Sequence, residues 1–430
     1  MTCYVNWGFR GNPFSTRALS ADRDGEQLLV GRTSEITDIT RRLFARPKCV
    51  TVEGPVGVGK TSIINVAAYK AFNSFLAGNC QEMLIPCNQI FQLSDNEDSD
   101  AFSNQVLTAI AQTLIKESNN LKDHGYTATS DVAAINRWLN SPQLTTWQAG
   151  LPFGSIGQSM ETNTSVGFSN SGLRRFVSQW IEELFPDGEG GGIICVIDNL
   201  ELLRDSSSAR QRIEELRDTL LTLNGVRWVL CGDVGVVRGV ASSPRLSAIL
   251  HRPLEVNPID NSFSGEIVKA RVNTLAIDSS NYYLPFLFSD FDKLYGVLGF
   301  NLREALSFID EYCQVVGFEA SSPQSDTDKS VRFNDWLYKE ALSVHDAVVP
   351  NIGLRAWNFF VKVLDANREF SPSEFQSFGF NTQQAMRAAV VQLETQGLLR
   401  VVQDVNDIRR RTIQLSSKGY LVAYVLEAMK

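Results

Sequence analysis

The sequence predicts an α/β fold: a mainly parallel sheet flanked by helices, then a helical region, then a small C-terminal domain of helices and a hairpin. Three observations carry this. Short apolar strand patterns alternate with amphipathic helix patterns as far as Pro258, as in parallel strands joined by crossover helices. A Gly-rich segment, "GPVGVGKT" (54–61), joins one such strand to a helix. Beyond residue 351 the pattern becomes three helices, two strands and a helix.

Taken in order, "LLVGRTSEITDITRRLF" (28–44) is a strand end leading into a helix, with Ile36, Ile39, Leu43 and Phe44 at helical spacing. "CVTVEG" (49–54) reads as a strand and "TSIINVAAYKAFNSFL" (61–76) as the helix after the Gly-rich turn. "EMLIPCN" (82–88) is the next strand. In "AFSNQVLTAIAQTLIKES" (101–118), Phe102, Val106, Ile110 and Leu114 recur every four residues, which is an amphipathic helix. Residues 119–170 are rich in Ser, Thr, Asn, Gln and Gly and read as a polar insertion. A helix over 171–185 and a turn "GEGGG" (188–192) precede the strand "IICVI" (193–197). A helix over 209–223 leads to the strand "VRWVLCG" (226–232). Helices are then expected over 263–276, 287–296 and 302–316, and "ASSPQSDTDKS" (320–330) reads as a linker. The last part has helices at 353–366, 372–378 and 382–396, strands in "GLLRVVQD" and "IRRRTIQLS", and a helix from Ser417. That is the layout of a winged helix.

Bulk properties exclude several classes. With 430 residues, 43% of them hydrophobic and 20% charged, the chain has the composition of a multidomain globular protein. No apolar run approaches membrane-spanning length, and nothing at the N-terminus has the layout of a signal peptide. Seven cysteines without CxxC spacing argue against a disulfide framework, and three histidines make a Cys/His zinc site unlikely. A reduced, cytoplasmic protein without a membrane partner is expected. The net charge of -8 argues against a whole surface that binds nucleic acid, but the C-terminal part is basic. Residues 352–430 hold ten Lys/Arg against seven Asp/Glu.

The segment Gly54–Thr61 fits GxxxxGK[ST] between a strand and a helix. Glycines let the backbone fold so that its N–H groups face phosphate oxygens, and the helix N-terminus favours the anion. Gly54, Pro55, Gly57, Gly59, Lys60, Thr61 and Ser62 are therefore expected to hold a nucleotide. Lys60 reaches the β- and γ-phosphates, and the Thr61 hydroxyl takes a Mg²⁺ position. "IICVIDNLELL" (193–203) delivers Asp198 from the end of an apolar strand, where open parallel sheets bind ligands, as the second Mg²⁺ ligand. The competing reading of Asp198 is a helix cap.

"LLVGR", "GPVGVGKT", "ICVIDNLE", "SPRLSAIL" and "NLREAL" occur in this order, and the chain resembles the AAA+ ATPases. It is most similar to replication-initiator (origin-recognition) ATPases and related signalling and transposition-regulator ATPases, including the "NPF" lead-in at 12–14. The resemblance covers most of 8–316 apart from the insertion. It implies a P-loop NTPase sheet with a helical lid and a C-terminal winged-helix domain. The divisions are an N-terminal arm (1–27), a nucleotide-binding core (28–260, with the insertion at 119–170), a lid (261–318), a linker with a connecting helix (319–350), and the winged helix (351–430). By the same resemblance, Gly31 and Arg32 lie beside the adenine of ATP; a solvent-exposed turn is the alternative. Arg245 matches the arginine finger that reaches a neighbouring subunit's nucleotide, with Arg252 as its rival, and Arg303 matches the lid arginine that senses the γ-phosphate.

Two departures bear on catalysis. In many such ATPases a glutamate follows the strand aspartate, but here Asn199 does, and its amide can orient water but hardly accept a proton. Where a polar water-positioning residue is usual, the chain has Cys231, Gly232 and Asp233. Glu201, three residues past Asp198, either turns into the site or faces solvent. Slow or partner-stimulated ATP hydrolysis is the expectation. In the winged helix, Arg387 and the wing cluster Arg409, Arg410 and Arg411 are the candidates for contact with double-stranded DNA. Two functions remain in view: an oligomerising, ATP-gated switch that engages DNA, and a nucleotide-gated signalling scaffold that recruits a separate effector protein.

Overall fold

The computed structural model describes residues 3–128, 170–203, 206–319, 321–366, 369–403 and 411–430. The chain runs α1 (Cys3–Asn6), α2 (Arg23–Leu28), α3 (Thr33–Phe44), β1 (Val50–Glu53), α4 (Lys60–Leu76), β2 (Met83–Gln92), α5 (Ser99–Lys116) and α6 (Ser118–Asp123). After α7 (Asn170–Leu184) come β3 (Gly191–Asp198), α8 (Ser206–Leu216), β4 (Val226–Gly232), α9 (Val236–Ala241) and β5 (Leu254–Glu255). Then follow α10 (Ser264–Leu275), α11 (Phe288–Val297), α12 (Leu302–Phe318) and α13 (Asp326–Val348). The C-terminal part is α14 (Leu354–Asp365), β6 (Glu369–Phe370), α15 (Gln383–Thr395), β7 (Leu399–Gln403), β8 (Arg411–Leu415) and α16 (Ser417–Ala428). These elements form two compact units. One comprises Met1–Glu35, Glu53–Ile63 and Glu255–Lys430, the other Ile36–Val52 and Ile64–Leu254.

The second unit carries the α/β sheet, of order β2-β3-β4-β1-β5. β2 pairs in parallel with β3, and β3 with β4. Every residue of β3 and β4 is buried, which is why both read as unbroken apolar runs rather than as alternating strands. Phe102 and Ile110 of α5 and Trp180 and Ile181 of α7 are fully or nearly fully buried in the same core as Ile193 and Trp228. The helix expected over 209–223 ends as a regular α-helix at Leu216 and continues as a π-turn through Leu221. The Trp228 indole donates to the Leu220 carbonyl at 2.9 Å, taking an acceptor that the regular ladder would have used. The start of the polar insertion is ordered: Leu121 is buried, and the Tyr126 hydroxyl donates to the Gly190 carbonyl at 2.6 Å. Residues 129–169 of that insertion lie outside the described residues.

The first unit contains the N-terminal arm, the helices α10–α13 and the C-terminal domain. Aromatic residues of the N-terminal arm are buried here: Tyr4, Phe9 and Phe14 share a core with Val268, Phe286, Phe291 and Ile309. Phe9 bridges antiparallel to Ala276, and the Arg271 guanidinium donates to the Pro13 carbonyl at 2.9 Å. Because Phe9 is wholly buried, Phe9→Ala is expected to cost about 3–5 kcal/mol of this unit's stability. Denaturant unfolding of the full chain reads this directly, and a loss under about 1 kcal/mol would mean that the arm is not part of the core.

In the C-terminal domain, α14 and α15 pack on an antiparallel sheet of order β6-β8-β7. The helix expected at 372–378 is a 3₁₀ turn at Pro372–Glu374 followed by turns. Ser371 and Glu374 form a capping box around Pro372, and Phe378 and Phe380 turn inward against Phe359 with ring centroids 5.2 and 5.1 Å away. The strand β6 is two residues long and leaves no periodicity to read. The linker reading of 320–330 holds only for its first half. Ser325 caps α13, accepting from the Asp328 N–H at 3.1 Å, so the helix begins at Asp326. Leu421 and Val425 of α16 are buried in the core formed by α10–α13, and the Ser417 hydroxyl donates to the Leu298 carbonyl at 3.3 Å. Among the described residues, no helix is long and apolar enough to cross a membrane.

Candidate functional site

The phosphate loop is built within the first unit. After Glu53 the chain turns through Gly54 and Pro55, with Gly57 at φ +88° and Gly59 at φ +94°, left-handed values that favour glycine. Gly54 is needed for a second reason: a Cβ there would lie 2.3 Å from the Val256 carbonyl oxygen. At Gly59 a Cβ would meet nothing within 4 Å, so the loop faces open space where a phosphate fits. Lys60 opens α4 with its side chain 7% exposed. Its ammonium donates to the Gly54 carbonyl at 2.7 Å and the Pro55 carbonyl at 3.2 Å. Thr61 and Ser62 follow in the first turn of α4, half-buried, and the Ser62 hydroxyl accepts from the Leu19 N–H at 3.1 Å.

The start of α12 closes over the same loop. Asn301 caps the helix and donates to the Val56 carbonyl at 3.4 Å. The Arg303 backbone N–H donates to the Gly57 carbonyl at 3.3 Å, while its guanidinium side chain is exposed. The start of α12 and the Gly-rich loop are thus joined by one backbone and one side-chain hydrogen bond. Gly31, at φ +70°, lies against Ile259 and Phe263. Arg32 is 3% exposed rather than in a solvated turn. Its guanidinium bridges Glu35 at 2.6 Å, the Val58 carbonyl at 3.1 Å and the Asn257 carbonyl at 2.7 Å. Burial pushes the Glu35 carboxyl up, but hydrogen bonds from Ser34 and Arg32 together outweigh it and hold the group below the usual range. Val30, Arg32, Gly59, Ser62, Ile259 and Leu302 line a narrow recess of about 30 Å³ beside the loop, smaller than an adenine ring.

The second unit presents the carboxylates. Asp198 ends β3 and is 3% exposed, its Oδ1 accepting from the Asn199 N–H at 2.8 Å. Asn199 is left-handed at φ 56°, ψ 45°, a conformation that asparagine tolerates. The chain then makes a 3₁₀ turn, Leu200–Leu202, anchored by the fully buried Leu200. This turn carries Glu201 inward. Its Oε2 accepts from the Asp233 backbone N–H at 3.0 Å, and a Cβ on Gly232 would lie 3.3 Å from that oxygen. β3 and β4 are adjacent parallel strands, so the Asp198 and Glu201 carboxylates both stand at their C-terminal ends. Asp233 is occupied locally, its Oδ1 accepting from the Val234 N–H at 2.8 Å. The residue that sequence reasoning left undecided therefore faces the strand ends. The signal was the pairing of Glu201 with a glycine at 232, which neither position shows alone.

Arg245 is 69% exposed on a turn after α9, 3.4 Å from Glu214. Hydrogen bonds from Ser243 and Arg245 keep the Glu214 carboxyl below its ordinary range. The exposed Arg387 shares the outer face of α15 with Ala388, Val391 and Glu394. Arg409 and Arg410 lie outside the described residues, and Arg411 begins β8 with its side chain outside them. Among the described residues no cluster of three or more His, Cys, Asp or Glu could hold a metal.

No known family profile matches the sequence, and no curated protein matches it either. Solved structures do. The ORC2 protein of Aeropyrum pernix, in complexes with ADPNP and ADP, is 10% identical, with a TM-score of 0.48 over 98% of this chain and 99% of the other. A Walker-type ATPase of Pyrococcus abyssi is 13% identical, with a TM-score of 0.47 over 96% and 99%. The ORC1 protein of Aeropyrum pernix, in complex with DNA, is 14% identical, with a TM-score of 0.43 over 95% and 98%.

Proposed function

We propose that this AAA+-like protein binds ATP with Mg²⁺ and hydrolyses it slowly. We further infer that it self-associates in its ATP form and engages double-stranded DNA through its C-terminal winged helix. The phosphate loop carries this reading: two left-handed glycines, an open face at Gly59, and a buried Lys60 ammonium held by loop carbonyls. Phosphate oxygens would replace those carbonyls as partners of Lys60. Mg²⁺ would neutralise charge on the β- and γ-oxygens, with Thr61 and Asp198 as its protein ligands. The backbone bond from Arg303 to Gly57 supports a role for Arg303 in reporting on the γ-phosphate. Arg245, exposed and weakly paired, suits an arginine finger acting on a neighbouring copy.

The decisive experiment follows ATP turnover and particle size with and without duplex DNA. Wild type is expected to assemble with ATP and to show DNA-stimulated turnover. Arg245→Ala should lose the stimulated turnover, by about 10³-fold for a finger of this kind, and keep nucleotide binding. Loss of binding instead would remove Arg245 from the finger role. Turnover and assembly both indifferent to DNA would overturn the DNA reading. One observation favours the second reading, a nucleotide-gated scaffold that recruits an effector. The exposed face of α15 offers one Arg against one Glu beside Ala388 and Val391, too little charge for a helix that grips phosphates by itself.

A further inference from the structure

Away from the strand-end carboxylates, the second unit holds a recess of about 790 Å³ lined by Arg41, Arg42, Lys48, Arg238, His251 and Arg252. They come from three separate stretches: the last turn of α3 into the approach to β1, the last turn of α9, and the segment before β5. Basic residues in a last helical turn favour the helix dipole, and that accounts for Arg41, Arg42 and Arg238. It does not account for Lys48 and Arg252, which belong to no helix. Asp38 bonds Arg41 and Arg42, and the second guanidinium nitrogen of Arg42 donates to the Arg252 carbonyl at 2.6 Å. Among the described residues neither Lys48 nor Arg252 has an acidic partner. The floor is apolar, from Ala45, Ala241 and Leu250.

His251 senses this excess of charge. Burial first, and then the positive charges of Arg42, Lys48 and Arg41, hold its imidazole below the ordinary value, while a bond with the Ala45 backbone opposes them. Its Nε2 is buried without a hydrogen-bond partner. A concave site lined by guanidinium groups, an ammonium and an unsatisfied imidazole nitrogen matches phosphate in charge. The volume lies within the range of small-ligand pockets, roughly 300–1,000 Å³.

We propose that this recess is a second phosphate-binding site, separate from the P-loop, which takes the phosphate groups of a small polyphosphate or of a nucleic-acid backbone. Guanidinium groups grip the oxygens, Lys48 and Arg252 supply the uncompensated charge, and His251 donates once its proton is favoured by the anion.

The test uses the full chain carrying Lys60→Ala, so that the P-loop does not report. Histidine-selective NMR follows the His251 ring as inorganic tripolyphosphate or a 20-base-pair duplex is added. Either anion should raise the pH at which His251 titrates, because a bound negative charge offsets the surrounding cations. Adding Lys48→Ala and Arg252→Ala together should weaken that binding about tenfold or more, since two charge-assisted contacts are lost. Both side chains are exposed, so the fold should survive. A response to tripolyphosphate alone identifies a small ligand, and a response to the duplex alone identifies nucleic acid. No His251 response to either anion, or binding indifferent to the double substitution, overturns the proposal.

Discussion

Lys60→Ala is expected to weaken ATP binding by about 100-fold or more, because hydrogen bonds from a charged donor contribute about 1.5–3 kcal/mol each and the ammonium makes at least two to phosphate. In the structure this ammonium is buried and held only by carbonyls of its own loop at Gly54 and Pro55. Such a group is positioned to exchange neutral acceptors for anionic ones. Titration of a fluorescent ATP analogue reads the loss, and circular dichroism of the same samples separates it from misfolding. Binding within about threefold of wild type would mean that the loop is not a nucleotide site. The larger proposal would fall with it, whereas the basic recess around Lys48 and Arg252 would not.

Glu201→Gln should reduce turnover by about 10²–10⁴-fold, the range for removing a positioned general base, with nucleotide affinity unchanged. In the proposed hydrolysis, the oxygen of water would bond to the γ-phosphorus as the bond to the β–γ bridging oxygen breaks, ADP would depart, and the water proton would pass to a carboxylate. Asn199 cannot accept that proton, and its left-handed backbone belongs to the turn that brings Glu201 inward. Glutamine keeps an oxygen to accept from the Asp233 N–H, so the turn should hold while the base is lost. Gly232→Ala tests the same geometry from the other strand, since its Cβ would press on Oε2 from 3.3 Å. It should slow turnover about tenfold through misplacement of the carboxylate. A wild-type pH–rate profile governed by a carboxylate should disappear in Glu201→Gln. Wild-type turnover in that variant would remove Glu201 from the role of base.

The local elements were legible where one physical rule acted alone. Buried strands such as "IICVI" and "VRWVLCG" announce themselves as apolar runs, and the GxxxxGK[ST] spacing of Gly54–Thr61 requires a phosphate-shaped turn. The helices α14 and α15 carry enough turns for their periodicity to stand out. Prediction failed where tertiary packing overrode the local pattern. The stretch 372–378 has helical composition, yet burial of Phe378 and Phe380 against Phe359 pulls it into turns. The polar look of the first residues concealed Tyr4, Phe9 and Phe14, because three aromatics without regular spacing show no period although each is buried.

For the candidate site the division is the same. By itself the sequence determined which residues are the candidates for the chemistry: a Gly-rich GxxxxGK[ST] loop, a strand-end aspartate, and arginines at positions 245 and 303. Covalent spacing fixes those motifs, and the backbone geometry of a strand–loop–helix needs no distant partner. Only the tertiary structure decided the surroundings of Glu201, Arg32 and Lys48. Those surroundings come from neighbours far away in the chain: Asp233 for Glu201, Val58 and Asn257 for Arg32, and Arg238 and Arg252 for Lys48. Such contacts exist only once strands and helices have packed, and no local period or motif encodes them.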